Sequence, residues 1–351
     1  MSNQNNRIEW IDILKGIGII LVIIGHSFRD EMRIDSSIAN WIYSIIYYFH
    51  MPLFYVISGY LFRITQDKLD SYSVVDYIYG KIKSYIKPFV CYSLLVYIVF
   101  WCCNSIPYLS RLLSNTSLKR YEFFEYVNLS LKGDNPYAFH LWYLWVLFWI
   151  IILSFVVYRI GNRFKINYTI LLFMIAFIMW NVRLFIDSNN ACMLIKAILK
   201  HTIYFYVGIK LDDIVINSSR VWYKFLSVFS WGYASLYVVG MLKSTYVVTK
   251  YLLNLAVLVT VIIIVSNLCI LSRKINNSSL RYIGSNSLWF YLFHQPFCCA
   301  ILGSILYYKF NVPILISCIL CILSSLGIVT CLNLLVEKNA IIRRIRQMLF
   351  E

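Results

Sequence analysis

The chain reads as an all-α polytopic membrane protein, and three observations predict that class. Of its 351 residues 60% are hydrophobic and only 14% charged, with a mean hydropathy of +0.70. Soluble domains run at roughly 45–50% apolar and about 25% charged, so a water-soluble globule and a disordered chain are both excluded. The apolar residues gather into ten runs, each long enough to cross a hydrocarbon core of about 30 Å as a helix. The basic residues sit in the short segments between those runs, as membrane topology demands.

The runs lie at about 10–28, 38–62, 84–104, 138–158, 168–187, 192–211, 221–240, 248–271, 287–308 and 312–336, the sixth being the weakest. The longest connection, about 105–137, is polar and aromatic and predicts some short helical structure. No repeat, low-complexity tract or appended soluble domain interrupts the pattern, so residues 1–351 are expected to form a single integral-membrane domain. Counting Lys and Arg on alternate sides places 19 on one face and 12 on the other. The positive-inside rule then predicts both termini in the cytoplasm and a multi-pass protein of the cytoplasmic (inner) membrane. An even number of spans is required, and ten satisfies it.

The net charge of +16 does not point to nucleic acid, because the basic residues are scattered rather than gathered on one face or in an aromatic-bearing motif. The lipid bilayer with its acidic headgroups, and acidic small molecules, are the expected partners. Ten cysteines, including Cys318 and Cys321 in a C-x-x-C, lie mostly within apolar runs without polar metal-binding context. They read as small apolar helix residues, and no metal is expected. The first apolar run lacks a small-x-small cleavage site and reads as a retained span.

Ionisable residues inside spans are costly and so mark candidate chemistry. Asp12 and Lys15, three apart, share a helical face and can neutralise one another. His26 follows Lys15 by eleven residues, about 16.5 Å along a helix. In the second run, His50 and Pro52 precede Ser58-Gly59, a pattern for a kink and close helix approach. His50 is about 18 Å from the cytoplasmic end and His26 about 21 Å beyond Asp12, so the two histidines fall at similar depth. Arg63 ends that run, and Lys81, Lys83 and Lys87 precede the third; they are topology anchors or cytoplasmic phosphate ligands. Trp142 opens the fourth run after His140, in a tryptophan stripe that more often packs or forms an interfacial belt than touches a ligand. In the ninth, Tyr291 and His294 share a face about 10 Å in from the cytoplasmic end.

Together these stretches resemble the acyltransferase 3 family of integral-membrane O-acyltransferases. The resemblance rests on Asp12 to Gly16 with His26, a basic residue followed by ten residues and a histidine. It rests also on Phe-His-Met-Pro-Leu-Phe to Ser-Gly-Tyr-Leu-Phe, the lysines before Pro88, His-Leu-Trp-Tyr-Leu, and Gly-x-x-Ser to Tyr-Leu-x-His. The resemblance implies about ten helices and transfer of an acetyl or similar short acyl group from cytoplasmic acyl-CoA, acetyl-CoA above all, to a sugar hydroxyl. It implies Lys15 and His26 as the essential catalytic pair, with Asp12 beside them. Lys81 and Lys83 match a basic-x-basic donor motif often written with Arg, and lysine at both places loses bidentate phosphate geometry. Arg63 is a third candidate for the donor phosphates. His50, Ser58, Trp142, Tyr291 and His294 are the candidate acceptor contacts.

A coenzyme A whose phosphates rest on Arg63, Lys81 or Lys83 extends a pantetheine arm on the order of 15–20 Å, comparable with the depth of His26. His26 can then act as general base on the acceptor hydroxyl, or accept the acyl group itself; the residues leave both open. The expected activity is O-acylation of a surface polysaccharide or its lipid-linked precursor. A transporter or flippase for a polar metabolite or lipid-linked sugar is the alternative; no inverted repeat supports it. A structural component of a synthesis complex is a third reading, against which the intact Lys15 and His26 speak.

Overall fold

The computed structural model describes residues 8–113, 118–186, 192–216, 221–242 and 247–350, and among these every regular element is helical. In chain order they are α1 (Glu9–Ser27), α2 (Asp30–Asp35), α3 (Ser37–Ile64), α4 (Val74–Lys81), α5 (Lys87–Ser105), α6 (Pro107–Leu113), α7 (Phe123–Lys132) and α8 (Trp142–Phe164). There follow α9 (Tyr168–Val182), α10 (Met193–Ile209), α11 (Leu211–Ile216), α12 (Val221–Val238), α13 (Val247–Ser272), α14 (Ser278–Ser285) and α15 (Ser287–Phe293). The ninth run continues through α16 (Leu302–Ser304), and α17 (Ile314–Lys338) and α18 (Ala340–Phe350) complete the series. Each apolar run coincides with a helix. Among the described residues, seven helical stretches are long and apolar enough to cross a membrane: Glu9–Ser27, Ser37–Ile64, Val74–Ser105, Phe139–Phe164, Val248–Ser272, Ser287–Lys309 and Ile314–Lys338. The runs at 168–187, 192–211 and 221–240 form the shorter α9, α10 and α12. The long connection carries α6 and α7, as its composition predicts.

The chain divides into two compact units, one formed by Met1–Arg63 with Val207–Thr330 and the other by Ile64–Tyr206 with Cys331–Glu351. In the first, α1 packs along α14 at two glycines. A Cβ at Gly16 would lie 2.2 Å from the Leu280 carbonyl oxygen, and one at Gly284 would lie 1.6 Å from that of Asp12. Only hydrogen fits at either place, and the backbones meet directly, as small residues allow between membrane helices. Gly208 brings the end of α10 onto α3 in the same way, its absent Cβ facing the Val56 carbonyl at 2.1 Å. The Asn277 side chain starts α14 by accepting from the Leu280 N–H at 2.9 Å, which satisfies one of the helix's orphan donors.

In the second unit a buried polar knot sets the start of α8. Asn135 Nδ2 lies 2.9 Å from Ser93 Oγ on α5, 2.8 Å from Tyr126 Oη and 2.9 Å from Ser130 Oγ on α7. Its Oδ1 accepts the Tyr137 and Ala138 N–H groups at 3.1 and 2.7 Å. Burial pushes the Tyr137 hydroxyl up to about 12 and raises that of Tyr126. Both therefore remain protonated donors near neutral pH, and Tyr137 donates to the Lys119 carbonyl at 2.8 Å. α7 ends at Gly133 with φ 89°, the left-handed position that glycine fills without strain.

Candidate functional site

Two polar clusters lie at opposite ends of α1, both within the first unit. At the N-terminal end, Lys15 Nζ is 3.6 Å from Asp12 Oδ1, and Asp12 is buried against the backbone of α14 through Gly284. The same end is braced by Arg281, 3.0 Å from Glu9, and by Arg273, whose guanidinium lies 4.4 Å from the Trp10 ring and 2.9 Å from Asp212. Trp10 in turn meets Tyr60 edge-on at 5.1 Å. Arg63, at the end of α3, is exposed.

At the other end, the His26 and His294 rings stand 5.2 Å apart, and Tyr47 Oη lies 3.2 Å from His26 Nδ1. Tyr47 also meets His50 edge-on at 4.6 Å and stacks on Tyr43 at 4.0 Å. His50 and His294 are buried, whereas His26 is half-buried. His50 Nδ1 donates to the Ile46 carbonyl at 2.9 Å, and His294 Nδ1 lies 2.8 Å from the Tyr291 carbonyl and 3.1 Å from that of Phe290. A carbonyl can only accept, so these contacts hold the hydrogen on Nδ1 and leave Nε2 as the basic nitrogen of the neutral ring. The backbone breaks directly beyond His294: Gln295 is extended, with φ −121° and ψ 148°, and π turns follow to Ile301. Unwound backbone at membrane depth is tolerated where it is buried in protein or lines a polar cavity.

The structure thus gathers His26, His50 and His294 and keeps the Asp12–Lys15 pair about three to four turns away. Ser58 lies two turns along α3 from His50, its Oγ donating to the Phe54 carbonyl at 2.8 Å. Tyr291 is half-buried, its ring 6.3 Å from that of His294. Trp142, Lys81 and Lys83 belong to the second unit. There Trp142 stacks on His201 at 5.9 Å, Lys81 rests 5.0 Å from the Tyr77 ring and Lys83 4.4 Å from the Tyr79 ring. Tyr47, Tyr43, Arg273 and Arg281 are site neighbours that motif reading passes over. Among the described residues, no group of three or more His, Cys, Asp or Glu side chains is placed to hold a metal ion, and the described cysteines are free thiols. Cys299 lies within 3.4 Å of Ser325, and Cys318 donates to the Ser27 carbonyl at 3.6 Å.

A family model described as an acyltransferase domain matches residues 8–332, a stretch that runs through both units. Nodulation protein NolL of Sinorhizobium fredii is 44% identical over 62 residues, and nodulation protein NolL of Mesorhizobium japonicum is 46% identical over 63. Each alignment covers 17% of this chain and 17% of the relative, so the chain matches about a sixth of the length of these curated relatives. No solved structure matches the chain.

Proposed function

Because the chain belongs to this acyltransferase family, we propose that it is a membrane O-acyltransferase using acyl-CoA as donor. The acyl group is acetyl or similarly short, and the acceptor is a hydroxyl of a surface polysaccharide or its lipid-linked precursor. Ten spans in the cytoplasmic membrane, with both termini in the cytoplasm, complete the proposal.

The observation that carries it is the arrangement along α1. A charged pair stands at one end, and at the other a half-buried histidine sits against Tyr47 and His294. Eleven residues from Lys15 to His26 are about 16.5 Å of helix, a span that a pantetheine arm matches. In the tautomer that carries its hydrogen on Nδ1, toward Tyr47 Oη, His26 keeps its Nε2 lone pair for the acceptor hydroxyl. The hydroxyl proton passes to Nε2 as the new oxygen–acyl bond forms. The thioester C–S bond breaks, and the departing thiolate takes that proton from His26. Lys15 supplies positive charge toward the donor while Asp12 holds it in place. Arg63, Lys81 and Lys83 are proposed phosphate contacts, and His50, His294, Ser58, Tyr291 and Trp142 proposed acceptor contacts.

The test is transfer itself. Membranes bearing the chain, given radiolabelled acetyl-CoA, should label glycan, and membranes bearing an equal amount of the His26→Ala chain should not. Glycan that crosses the membrane unlabelled would overturn the proposal in favour of a transporter or flippase.

A further inference from the structure

The C-terminal helix α18 has a character that acyl transfer does not use. Its sequence from Ala340 carries Arg343, Arg344 and Arg346, and no acidic residue occurs between Lys338 and Phe350. At 100° per residue, Ile341, Ile345 and Met348 fall on one stripe, with Ile342 at its edge. All four are exposed, Ile341 at 72% and Met348 at 68%, whereas Phe350 is buried. The helix is therefore seated by one edge and presents an apolar stripe outward, with Arg344 along its border. Two of its arginines are tied back to α17, Arg343 to the Glu337 carbonyl at 2.6 Å and Arg346 to Asn333. At the elbow between the two helices lies a crevice of about 600 Å³ lined by Leu335, Lys338, Asn339, Ala340, Ile341 and Ile342.

The position of α18 decides what covers this stripe. It begins two residues after α17, a helix long and apolar enough to cross the membrane. It therefore starts at the depth of the headgroups, where apolar side chains reach acyl chains and arginines reach phosphates. We infer that α18 lies in the membrane interface and that Lys338, which lines the elbow crevice, and Arg344, exposed along the border of the apolar stripe, clasp the headgroup of an anionic phospholipid. The apolar stripe enters the acyl region beneath it.

The experiment uses the purified full chain in detergent, supplied with phosphatidylglycerol, phosphatidylcholine or inorganic phosphate. Retained lipid is counted by native mass spectrometry and the unfolding midpoint is followed. Phosphatidylglycerol should be retained and raise the midpoint, whereas phosphatidylcholine and inorganic phosphate should not. A basic residue near a charged membrane surface contributes about fivefold in affinity, so the Lys338→Gln/Arg344→Gln double variant should retain phosphatidylglycerol more than about tenfold more weakly. On the unaltered chain, raising the salt should erode the preference, because exposed charges are screened. Equal retention of the two lipids, stabilisation by inorganic phosphate alone, or retention indifferent to salt would each overturn the inference. Salt and headgroup dependence are read on the unaltered chain, so the inference stays testable if the double variant does not fold.

Discussion

His26 and Tyr47 set the terms at the scale of single residues. A lone general base contributes about 10²–10⁴ in rate, so His26→Ala should lose at least that much transfer while the chain still inserts and still binds acyl-CoA. Near-normal turnover at equal expression would move the role to His294 or His50. Tyr47 Oη meets His26 at Nδ1, at 3.2 Å, away from the nitrogen proposed to take the proton, which makes it a positioning residue. Partners that orient a metal-bound histidine are typically worth about 10–100-fold, and a loss of that order is expected for a group that orients His26. Tyr47→Phe should accordingly lower kcat by that amount with little change in the donor KM, whereas a merely structural loss would lower abundance and leave kcat intact. His26 and His50 were legible in the sequence because depth counting on a helix puts them at one level. The partnership of His26 with His294 was not, since counting from the start of α15 places His294 about 10 Å in. The climb actually begins at Gly284 beside Asp12, ten residues and about 15 Å below His294. Tyr47 was hidden for another reason: it is one of 29 tyrosines, and nothing in spacing sets it apart.

Between elements, the α1–α14 contact is the joint that aligns the two ends of the site. Its glycines admit no side chain, because the obstructing atoms are backbone carbonyl oxygens that cannot rotate away. Overpacking typically costs about 1–3 kcal/mol and more where nothing can move. Gly284→Ala should therefore lower the unfolding midpoint strongly and reduce transfer with it. Gly327→Ala, on α17 where no heavy atom lies within 4 Å, should be neutral or stabilise by about 0.4–1 kcal/mol. Equal effects of the two would mean that the α1–α14 approach is not what holds the site. Lys81 and Lys83 sit over tyrosines of their own turn, which keeps their ammonium groups near the rings without neutralising them. Replacing both by Gln should weaken acyl-CoA binding, and the difference should shrink at high salt. Unchanged donor affinity would return them to the role of topology anchors. The ten apolar runs revealed where helices form, because burial in lipid demands hydrophobic length. The π turns after His294 and the short helices α14 and α18 were invisible to that signal, since tertiary contacts rather than hydropathy decide them.

For the whole molecule the open quantity is the number of crossings, and its parity is measurable. Seven crossings would put the termini on opposite faces, and ten would put them on the same face. α1 and α3 are each long and apolar enough to cross, and if both cross, the chain returns before α4 to the face where α1 began. Lys87 Nζ lies 3.4 Å from the Gln347 carbonyl of α18, which under that topology would put the C-terminal helix on the same face. The proposed ten-span topology needs such an even total, with three crossings beyond the seven long helices. α9, α10 and α12, of 15, 17 and 18 residues, are about 22, 26 and 27 Å long. That is slightly short of a hydrocarbon core of about 30 Å, a mismatch that local thinning and snorkelling flanks absorb at modest cost. Reporter fusions at both ends should report the cytoplasm, as should tags beside Lys81, Arg163 and Lys274. A C-terminus outside with the N-terminus inside would restore an odd count and remove the Lys87–Gln347 contact from the membrane-inserted protein. It would also place α18 and its basic residues on the face opposite the proposed donor.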